Sequence, residues 1–448
     1  MMKRILLLAS AISFASSSLA TDVSSKSVPI VSDLTVKLKA YVDFEAASRN
    51  QSNLKDDEKN VSANRKQLAF YNSAAMLADI SNEFNDITYG GKIALVTTAK
   101  RKGSSSYNGT HIYISSDFGR IEAGSPIKPA STMMVSGGSV AAGSSNWDRY
   151  ADFSVSSLKQ DSKVGPSFAT YAEFFLDSKL VTNLDDRKYS NEPARTIVYY
   201  TPKFELGSST KVQVGGSYTP DSSNTGADKH SKHSSGTDKR ELSDADKATI
   251  TGFPTGQAFH RFEIDRTVKD AFSGGVVVEQ NLSDGVDVKV GFTGEYGKAA
   301  GKAKLFETKD STTPIKGGEY KLKDLRTYNI GAVLSVGNFS CGGAFGSLGK
   351  SLTSAEFHKT GRDTSYYSGT VAYKQGPFAA SVSYFRSMQF KNSVDAITLG
   401  TDYMLAPGFK PYAEFSTFAT KGRPEFRPDL KKQKSRGTVA LIGAKLSL

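Results

Sequence analysis

Charged side chains stand at every second position in several segments of this sequence. In the segment 34–46, Lys37, Lys39, Asp43 and Glu45 alternate with apolar residues. Charges placed along one face attract ions and orient dipolar molecules, most strongly where bulk water is partly excluded. The chemistry that this spacing predicts is electrostatic attraction of small charged or polar molecules, with no covalent step.

The sequence offers little for catalysis or for metal binding. Its five histidines are His111, His230, His233, His260 and His358. Only His230 and His233 are near each other, and two histidines are too few for a structural zinc site. No Gly-x-Ser-x-Gly nucleophile motif occurs in the sequence. We therefore predict that the protein is not an enzyme and that it has no cofactor and no metal site.

The elements that must position the charged residues are β-strands. Successive side chains of a strand point to opposite faces, so strict alternation gives one apolar and one polar face. The segment 34–46 shows this pattern, and the segment 286–296 repeats it with Val, Phe and Tyr opposite Asp, Lys, Thr and Glu. We count sixteen such segments, with boundaries accurate to a few residues. They begin near Leu34, Gln67, Ile87, Gly109, Arg120, Arg195, Ser209, Asp270, Val286, Arg326, Phe339, Arg362, Phe378, Ser393, Pro411 and Arg436.

The connections between these predicted strands alternate in length. Even-numbered strands are followed by tight turns whose Asp, Asn, Gly and Pro content suits close chain reversal. Examples are Asp117-Phe118-Gly119, Ser283-Asp284-Gly285, Gly337-Asn338, Gln375-Gly376-Pro377 and Ala406-Pro407-Gly408. Odd-numbered strands are mostly followed by long polar segments, which are 49–66, 126–194, 220–269, 298–325 and 421–435. Short turns at one end and long loops at the other are typical of membrane-spanning barrels.

A lipid bilayer explains why such strands should close on themselves. Hydrocarbon offers no hydrogen-bond partner, so an open sheet edge cannot lie in it, and closure removes the edges. No apolar run reaches the roughly 18 residues of a membrane-spanning helix, and only 38% of residues are hydrophobic. We therefore predict an all-β fold, a transmembrane antiparallel up-and-down β-barrel of 16 strands. A secreted β-sandwich is the alternative, which the regular alternation of connection lengths disfavours.

The first residues are typical of an exported protein. A basic start (Lys3, Arg4), the apolar run 5–15 and small residues up to Ala20 form the pattern of a secretory signal peptide. We predict a signal peptide at residues 1–20 and a single barrel domain at residues 21–448. The net charge of +12 favours an anion-attracting interior, and no nucleic-acid partner is expected for an exported chain.

Four motifs resemble the general bacterial porins, the trimeric porins of Gram-negative bacteria. The segment Tyr113–Gly124 resembles the hairpin that leads into the constriction loop of that family, and Arg195–Phe204 resembles the strand that leaves the loop. The segments Thr401–Gly408 and Ile442–Leu448 resemble the family's penultimate periplasmic turn and its closing strand. Three positions depart from the family pattern. They are Ser125 and Val198, where arginine is common, and Leu448, where Phe is usual.

The resemblance implies an outer-membrane porin, a water-filled channel for passive diffusion of ions and small hydrophilic solutes. It further implies periplasmic short turns, extracellular long loops and a homotrimer in the cell outer membrane. The partners that it implies are outer-membrane lipid and lipopolysaccharide, the barrel-assembly machinery, and the solutes themselves. Two other functions stay open, a surface adhesin or antigen and a barrel-borne hydrolase, for which His111 and His260 would be the candidate bases.

Strand parity and the resemblance together select the residues expected to line the channel. In the family, the third long loop, here 126–194, folds inward and narrows the pore, and we select Asp148, Arg149 and Asp152 from it. Alternation places a further set of charged side chains on the inner wall. These are Lys37, Lys39, Asp43, Glu45, Lys92, Lys289, Lys374, Asp402, Glu414 and Lys445.

Overall fold

A computed structural model describes most of the chain. The described residues are 34–52, 67–98, 104–145, 147–151, 194–223, 237–241, 261–307, 312–354, 364–389, 392–422 and 432–447. The predicted signal peptide (1–20), the part of the predicted constriction loop from Asp152 to residue 193, His260 and Leu448 all lie outside the described residues.

One antiparallel sheet contains most of the strands and closes on itself. Its first eight strands are β1 (Thr35–Gln51), β2 (Gln67–Phe84), β3 (Ile87–Thr98), β4 (Ser104–Ser116), β5 (Gly119–Gly124), β6 (Thr196–Tyr200), β7 (Phe204–Leu206) and β8 (Thr210–Asp221). The chain then passes through two further strands, β9 (Thr237–Glu241) and β10 (Arg261–Asp265), that lie outside this sheet.

The sheet continues after β10 and is interrupted once more. Its next strands are β11 (Val268–Ser283) and β12 (Val286–Ala299), followed by β13 (Lys302–Phe306) and β14 (Glu319–Lys321), which again lie outside the sheet. The remaining strands are β15 (Leu325–Val336), β16 (Phe339–Gly349), β17 (Thr364–Gln375), β18 (Phe378–Gln389), β19 (Asn392–Tyr403), β20 (Phe409–Gly422) and β21 (Gln433–Ser447).

Closure comes from the antiparallel pairing of β21 with β1, in which Tyr41 lies opposite Ser447. Both β6 and β7 pair with β8, so they are two halves of one strand. The break between them contains Pro202, which has no N–H for the ladder. The barrel therefore has sixteen strands, as the sequence predicted. The predicted starts agree closely with the observed ones, and the largest difference is at β4, which begins at Ser104 rather than near Gly109.

The two faces of the barrel have the polarity that alternation predicted. On β1, the apolar Val42 and Phe44 are 51% and 50% exposed on the outer surface, whereas Asp43 and Glu45 are 9% and 0% exposed inside. A water-soluble protein has the opposite arrangement, because large apolar patches on it are unfavourable. The outer apolar belt is therefore the surface that contacts lipid.

Tight turns join the strands at one end of the barrel, which we call the short-turn end. Between β2 and β3, Asn85 and Asp86 both have positive φ angles, 49° and 61°, as in a type I′ hairpin turn. Gly285, between β11 and β12, also has a positive φ of 78°. Glycine suits these conformations because it has no Cβ atom to clash with the backbone. Asn and Asp tolerate them because their short polar side chains form hydrogen bonds with the nearby backbone.

A second sheet, which the sequence did not predict, forms in the connections at the opposite end, the long-loop end. Its strand order is β14-β13-β10-β9, and Ile264, Leu305 and Tyr320 pack in its small core. The Lys302 ammonium lies 2.9 Å from Glu319, and this hydrogen bond lowers the pKa of the Glu319 carboxyl. Strands of three to five residues are too short for alternation to be distinguished from ordinary loop composition.

Helices are few and short in the described residues. They are α1 (Pro129–Thr132), a 3₁₀ turn (Gly137–Ser139) and α2 (Trp147–Tyr150). None of the helices in the described ranges is long and apolar enough to cross a membrane.

The outer belt can be tested with two charged substitutions on one face of β15. Ile330 is near the middle of the strand and Val336 is its last residue, and both are exposed on the outer surface. We expect Ile330→Arg to lower the free energy of unfolding by about 2–4 kcal/mol and Val336→Arg by about 0–1 kcal/mol, because the cost depends on depth in the bilayer. Urea unfolding in phospholipid vesicles measures both values, and equal costs would contradict a lipid-facing belt.

Candidate functional site

The segment 125–151, which follows β5, runs along the inner wall of the barrel. Near its start, the Ala130 N–H donates a hydrogen bond of 2.9 Å to Ser273 Oγ on β11. Further along, the Ala142 N–H donates one of 2.9 Å to Ser381 Oγ on β18. The two partners lie on strands separated by a large part of the barrel circumference, so the segment follows the wall across many strands. We call residues 125–145 and 147–151 the inner loop.

The inner loop lies directly against the wall because glycines leave room for it. A Cβ atom on Gly331 of β15 would overlap the Val135 carbonyl oxygen, and one on Gly400 of β19 would overlap the Ala142 carbonyl oxygen. Both glycines stand at positions whose side chains would point inward, by the alternation of their strands. The wall therefore has a groove at the level of the inner loop, where larger residues would push the loop into the lumen.

Two carboxylates hold the middle of the inner loop. Glu414 of β20 accepts hydrogen bonds from the backbone N–H groups of both Ser144 and Ser145. Asp402 of β19 accepts the Gly143 N–H at 3.1 Å and also the Lys410 ammonium at 3.2 Å. Carboxylates bound to backbone N–H groups form strong charge-assisted hydrogen bonds. These two predicted wall residues thus bind the loop backbone.

Glu45 of β1 is the centre of a second attachment. One of its oxygens accepts hydrogen bonds from Arg149 Nη1 and from Tyr150 Oη, both at 2.7 Å. Tyr412 of β20 donates to Asp43 at 2.7 Å and lies 3.1 Å from the other Glu45 oxygen. Burial, reinforced by the bond to Glu45, raises the pKa of the Tyr150 hydroxyl, so Tyr150 remains a neutral donor.

Aromatic rings support the same attachment. The Arg149 guanidinium lies 3.6 Å from the centre of the Tyr71 ring on β2, within the range of a cation–π interaction. The Trp147 ring stacks on Phe418 of β20 with 5.4 Å between ring centres. Arg149 is therefore held by an anion on one side and by a ring on another. It fixes the loop to the wall of β1 and β2.

The wall formed by β2 to β5 faces open space. A cavity of about 600 Å³ lies between this wall and loop residues that include Thr132 and Met133. Its charged side chains form ion pairs, Lys92 with Asp79 at 3.6 Å and Arg120 with Glu122 at 2.6 Å. This cavity lies beside the inner loop, and its lining includes the charged side chains of Lys92, Arg120 and Glu122.

Tyr113 of β4 organises the charges of that wall. Its hydroxyl donates a 2.6 Å hydrogen bond to Asp79, and the Arg120 guanidinium lies 3.7 Å from its ring centre. Val198, where the resemblance made arginine common, is buried on β6 opposite Glu122. The guanidinium beside Glu122 belongs instead to Arg120, two residues earlier on the same strand.

Most of the other predicted lining residues lie away from the inner loop, but Lys289 lines a small cavity together with Met133 of the loop, and Asp148 is part of the loop itself. Lys37, Lys39, Lys289 and Lys374 lie in the halves of their strands nearest the short turns. Lys289 forms an ion pair with Glu279 at 2.9 Å. The structure also gives the positions of two further predicted residues. Lys445 lies 4.8 Å from the Tyr41 ring centre, and Asp148 is in α2.

Sequence reasoning missed several polar residues that take part in these contacts. They are Tyr71, Tyr113, Arg120, Glu122, Tyr150, Lys410 and Tyr412. Parity could have found most of them, because Tyr412 and Lys410 share the face of Glu414, and Arg120 and Glu122 alternate within the hairpin motif. Their importance depends on what lies opposite them, which parity does not show.

Most of the chain matches the model of a known family. The family model of Gram-negative porins matches residues 7–423. The chain belongs to this family. As a Gram-negative porin, the protein is an outer-membrane channel for passive diffusion of ions and small hydrophilic solutes, which confirms the function that the sequence motifs implied.

Several relatives and solved porins are similar to this chain. An uncharacterized protein of Rickettsia bellii is 42% identical over 456 residues, 99% of this chain and 100% of that protein. One of Rickettsia felis is 41% identical, with coverage of 99% and 100%. The solved anion-selective porin from Comamonas acidovorans is 14% identical with a TM-score of 0.48, covering 93% of this chain and all of that one. A triple mutant of the Rhodopseudomonas blastica porin is 12% identical with a TM-score of 0.43, covering 92% and 100%.

Removing the Glu414 carboxylate should free the inner loop. Glu414→Ala leaves two loop N–H groups without their acceptor, which costs about 1–3 kcal/mol for each group. We expect brief closures in single-channel recordings to become at least about tenfold more frequent, because 1.4 kcal/mol changes the equilibrium between the bound and the released loop by a factor of ten. Current noise should rise with them. Glu205→Ala is the control, because Glu205 binds Lys211 and not the loop. Equal noise in the two variants would contradict the anchoring role.

A larger residue in the wall groove should displace the inner loop into the lumen. Gly331→Val places atoms where the Val135 carbonyl oxygen lies, so we expect single-channel conductance to fall. Gly369→Val is the matched control on β17, because a Cβ atom there meets nothing within 4 Å. If both variants conduct like the parent protein, the loop does not depend on this groove.

Proposed function

We propose that solutes pass through the porin beside the inner loop, along the wall formed by β2 to β5. The observation that carries this proposal is the attachment of residues 142–150 to β18, β19, β20 and β1. The attachment holds this part of the loop on one side of the barrel. On the other side, the cavity of about 600 Å³ is lined by Lys92, His111, Arg120 and Glu122.

The proposed lining contains two groups from the set that the sequence selected. The first forms or supports the constriction and consists of Asp43, Glu45, Asp148, Arg149, Asp402 and Glu414, with Asp152 following in the loop. The second consists of lysines that line the lumen toward the short-turn end, and these are Lys37, Lys39, Lys92, Lys289, Lys374 and Lys445. Among the described residues, Lys37, Lys39 and Lys374 form no ion pair. An excess of positive charge on this wall supports a preference for anions.

We further propose the cellular context that the sequence implies. Residues 1–20 would direct export and be cleaved, and the barrel-assembly machinery would insert the chain with its short turns in the periplasm. Outer-membrane lipid and lipopolysaccharide would then surround the apolar belt, and three copies would form the homotrimer of the general porins. No observation on the described residues favours the other functions, an adhesin or a barrel-borne hydrolase.

The proposed ion preference can be tested by reversing the charge at two inner lysine positions. Lys39→Glu and Lys92→Glu each change the charge of the lumen by two units, so we expect the reversal potential in a KCl gradient to shift toward the cation. Lys298→Glu is the control, because Lys298 pairs with Asp270 away from the inner face of β12. Planar-bilayer recordings measure all three variants. A reversal potential unchanged in both inner variants would contradict their assignment to the lumen.

A further inference from the structure

Three lysines lie close together in the half of the barrel nearest the short-turn end. Lys203 is in the break between β6 and β7, Lys211 is on β8 and Lys289 is on β12. Strand β11 lies between β8 and β12, and it contributes Glu279 to the same place. The inner faces of these neighbouring strands therefore bring three cations around one carboxylate.

The ion pairs leave the group with a net positive charge. Lys203 Nζ and Lys289 Nζ each lie 2.9 Å from one of the two Glu279 oxygens. Lys211 Nζ lies 3.2 Å from Glu205 Oε1. With three cations and two anions, the net charge is +1. An ammonium has three N–H donors, so these pairs do not use all the donors of any lysine.

A small cavity lies among these ammonium groups. Its volume is about 110 Å³, and its lining includes all three lysines, Glu279 and the inner-loop residue Met133. A water molecule occupies about 30 Å³ in the liquid, so the cavity has room for several waters or for one small polyatomic anion. The Met133 side chain and the β11 residue Val277 supply the apolar part of this lining.

We propose that Lys203, Lys211 and Lys289 form a binding site for a small oxyanion, a phosphate or a carboxylate group, at which anions pause during passage. An oxyanion presents several oxygens to several donors at once, and hydrogen bonds between ammonium and oxyanion are the strong, charge-assisted kind. The net positive charge disfavours a cation. The inference deepens the proposed function by naming a solute class, and it rests on the lumen being the conducting path.

The position of Glu279 predicts in which direction its removal should change anion binding, and this can be tested. Its carboxylate binds the same two ammonium groups that would bind an incoming anion, so it competes with the ligand. Conduction requires binding that is weak enough to allow release, and this competition weakens it. Removal of the Glu279 charge should therefore strengthen anion binding, whereas removal of the lysine charges should weaken it.

The experiment measures block of single-channel chloride current by inorganic phosphate added on the short-turn side of a planar bilayer. We expect phosphate to reduce the current of the parent porin in a concentration-dependent way. In Lys203→Gln/Lys289→Gln, the half-blocking concentration should rise by about tenfold, because hydrogen bonds to charged groups are lost. In Glu279→Gln it should fall. Lys374→Gln, which removes an inner-wall lysine outside this cavity, should raise it far less than the double variant does, because only the general field of the lumen weakens. Acetate in place of phosphate tells whether a carboxylate is sufficient.

Chloride current in every variant shows separately that the channel is open, so a failure of the site is distinguishable from a failure of the channel. Equal phosphate block in the parent and in Lys203→Gln/Lys289→Gln overturns the proposal. A loss of block in Lys374→Gln as large as that in the double variant also overturns it, because the effect then belongs to the general charge of the lumen. A weaker block in Glu279→Gln would show that the carboxylate builds the site rather than competing in it, and this too contradicts the proposal.

Discussion

Hydrocarbon has no donor or acceptor for a backbone N–H or C=O group, and every strand that crosses a bilayer must therefore find partners on both sides. The pairing of β21 with β1 supplies the last set of these partners, and it makes the sheet a closed surface. Closure separates two environments, lipid outside and water inside. The alternation of apolar and polar side chains follows from that separation, since each residue on a strand faces one environment or the other.

A closed barrel of sixteen strands encloses more space than its own wall side chains fill, and the inner loop occupies part of it. The loop is bound by carboxylates on β19, β20 and β1 and fits a groove made by wall glycines. Glu45 and Glu414 are buried, and all three carboxylates are bonded to the loop, so they act on the loop more than on passing ions. The charges that face open space lie elsewhere, on β3 to β5 and among the lysines toward the short turns.

Charged residues therefore have two roles in different parts of the lumen: some hold the inner loop in place, and others face open space. On one side, Glu45, Arg149 and the backbone dipoles neutralise each other and fix a shape. On the other side, ion pairs such as Lys92 with Asp79 leave polar groups exposed to the cavity. Toward the short-turn end, cations outnumber anions around Glu279. On the path proposed above, a solute would meet a shape constraint and a positive field in succession, and substitutions can change the two separately.

The sequence by itself determined the strand number, the turn and loop ends, and which residues of each strand face inward. These properties are local, because a period of two and a pair of turn residues are visible within a few positions of the chain. Only the tertiary structure showed that Glu414 and Asp402 bind the inner loop, that Arg120 stands beside Glu122 where Val198 leaves no charge, and that Lys203, Lys211 and Lys289 surround Glu279. These contacts join residues far apart in sequence, and their partners depend on strand register and on the path of a loop, neither of which hydrophobic periodicity encodes. The four-stranded sheet at the long-loop end was also visible only in the tertiary structure, because its strands are too short to show a period in the sequence.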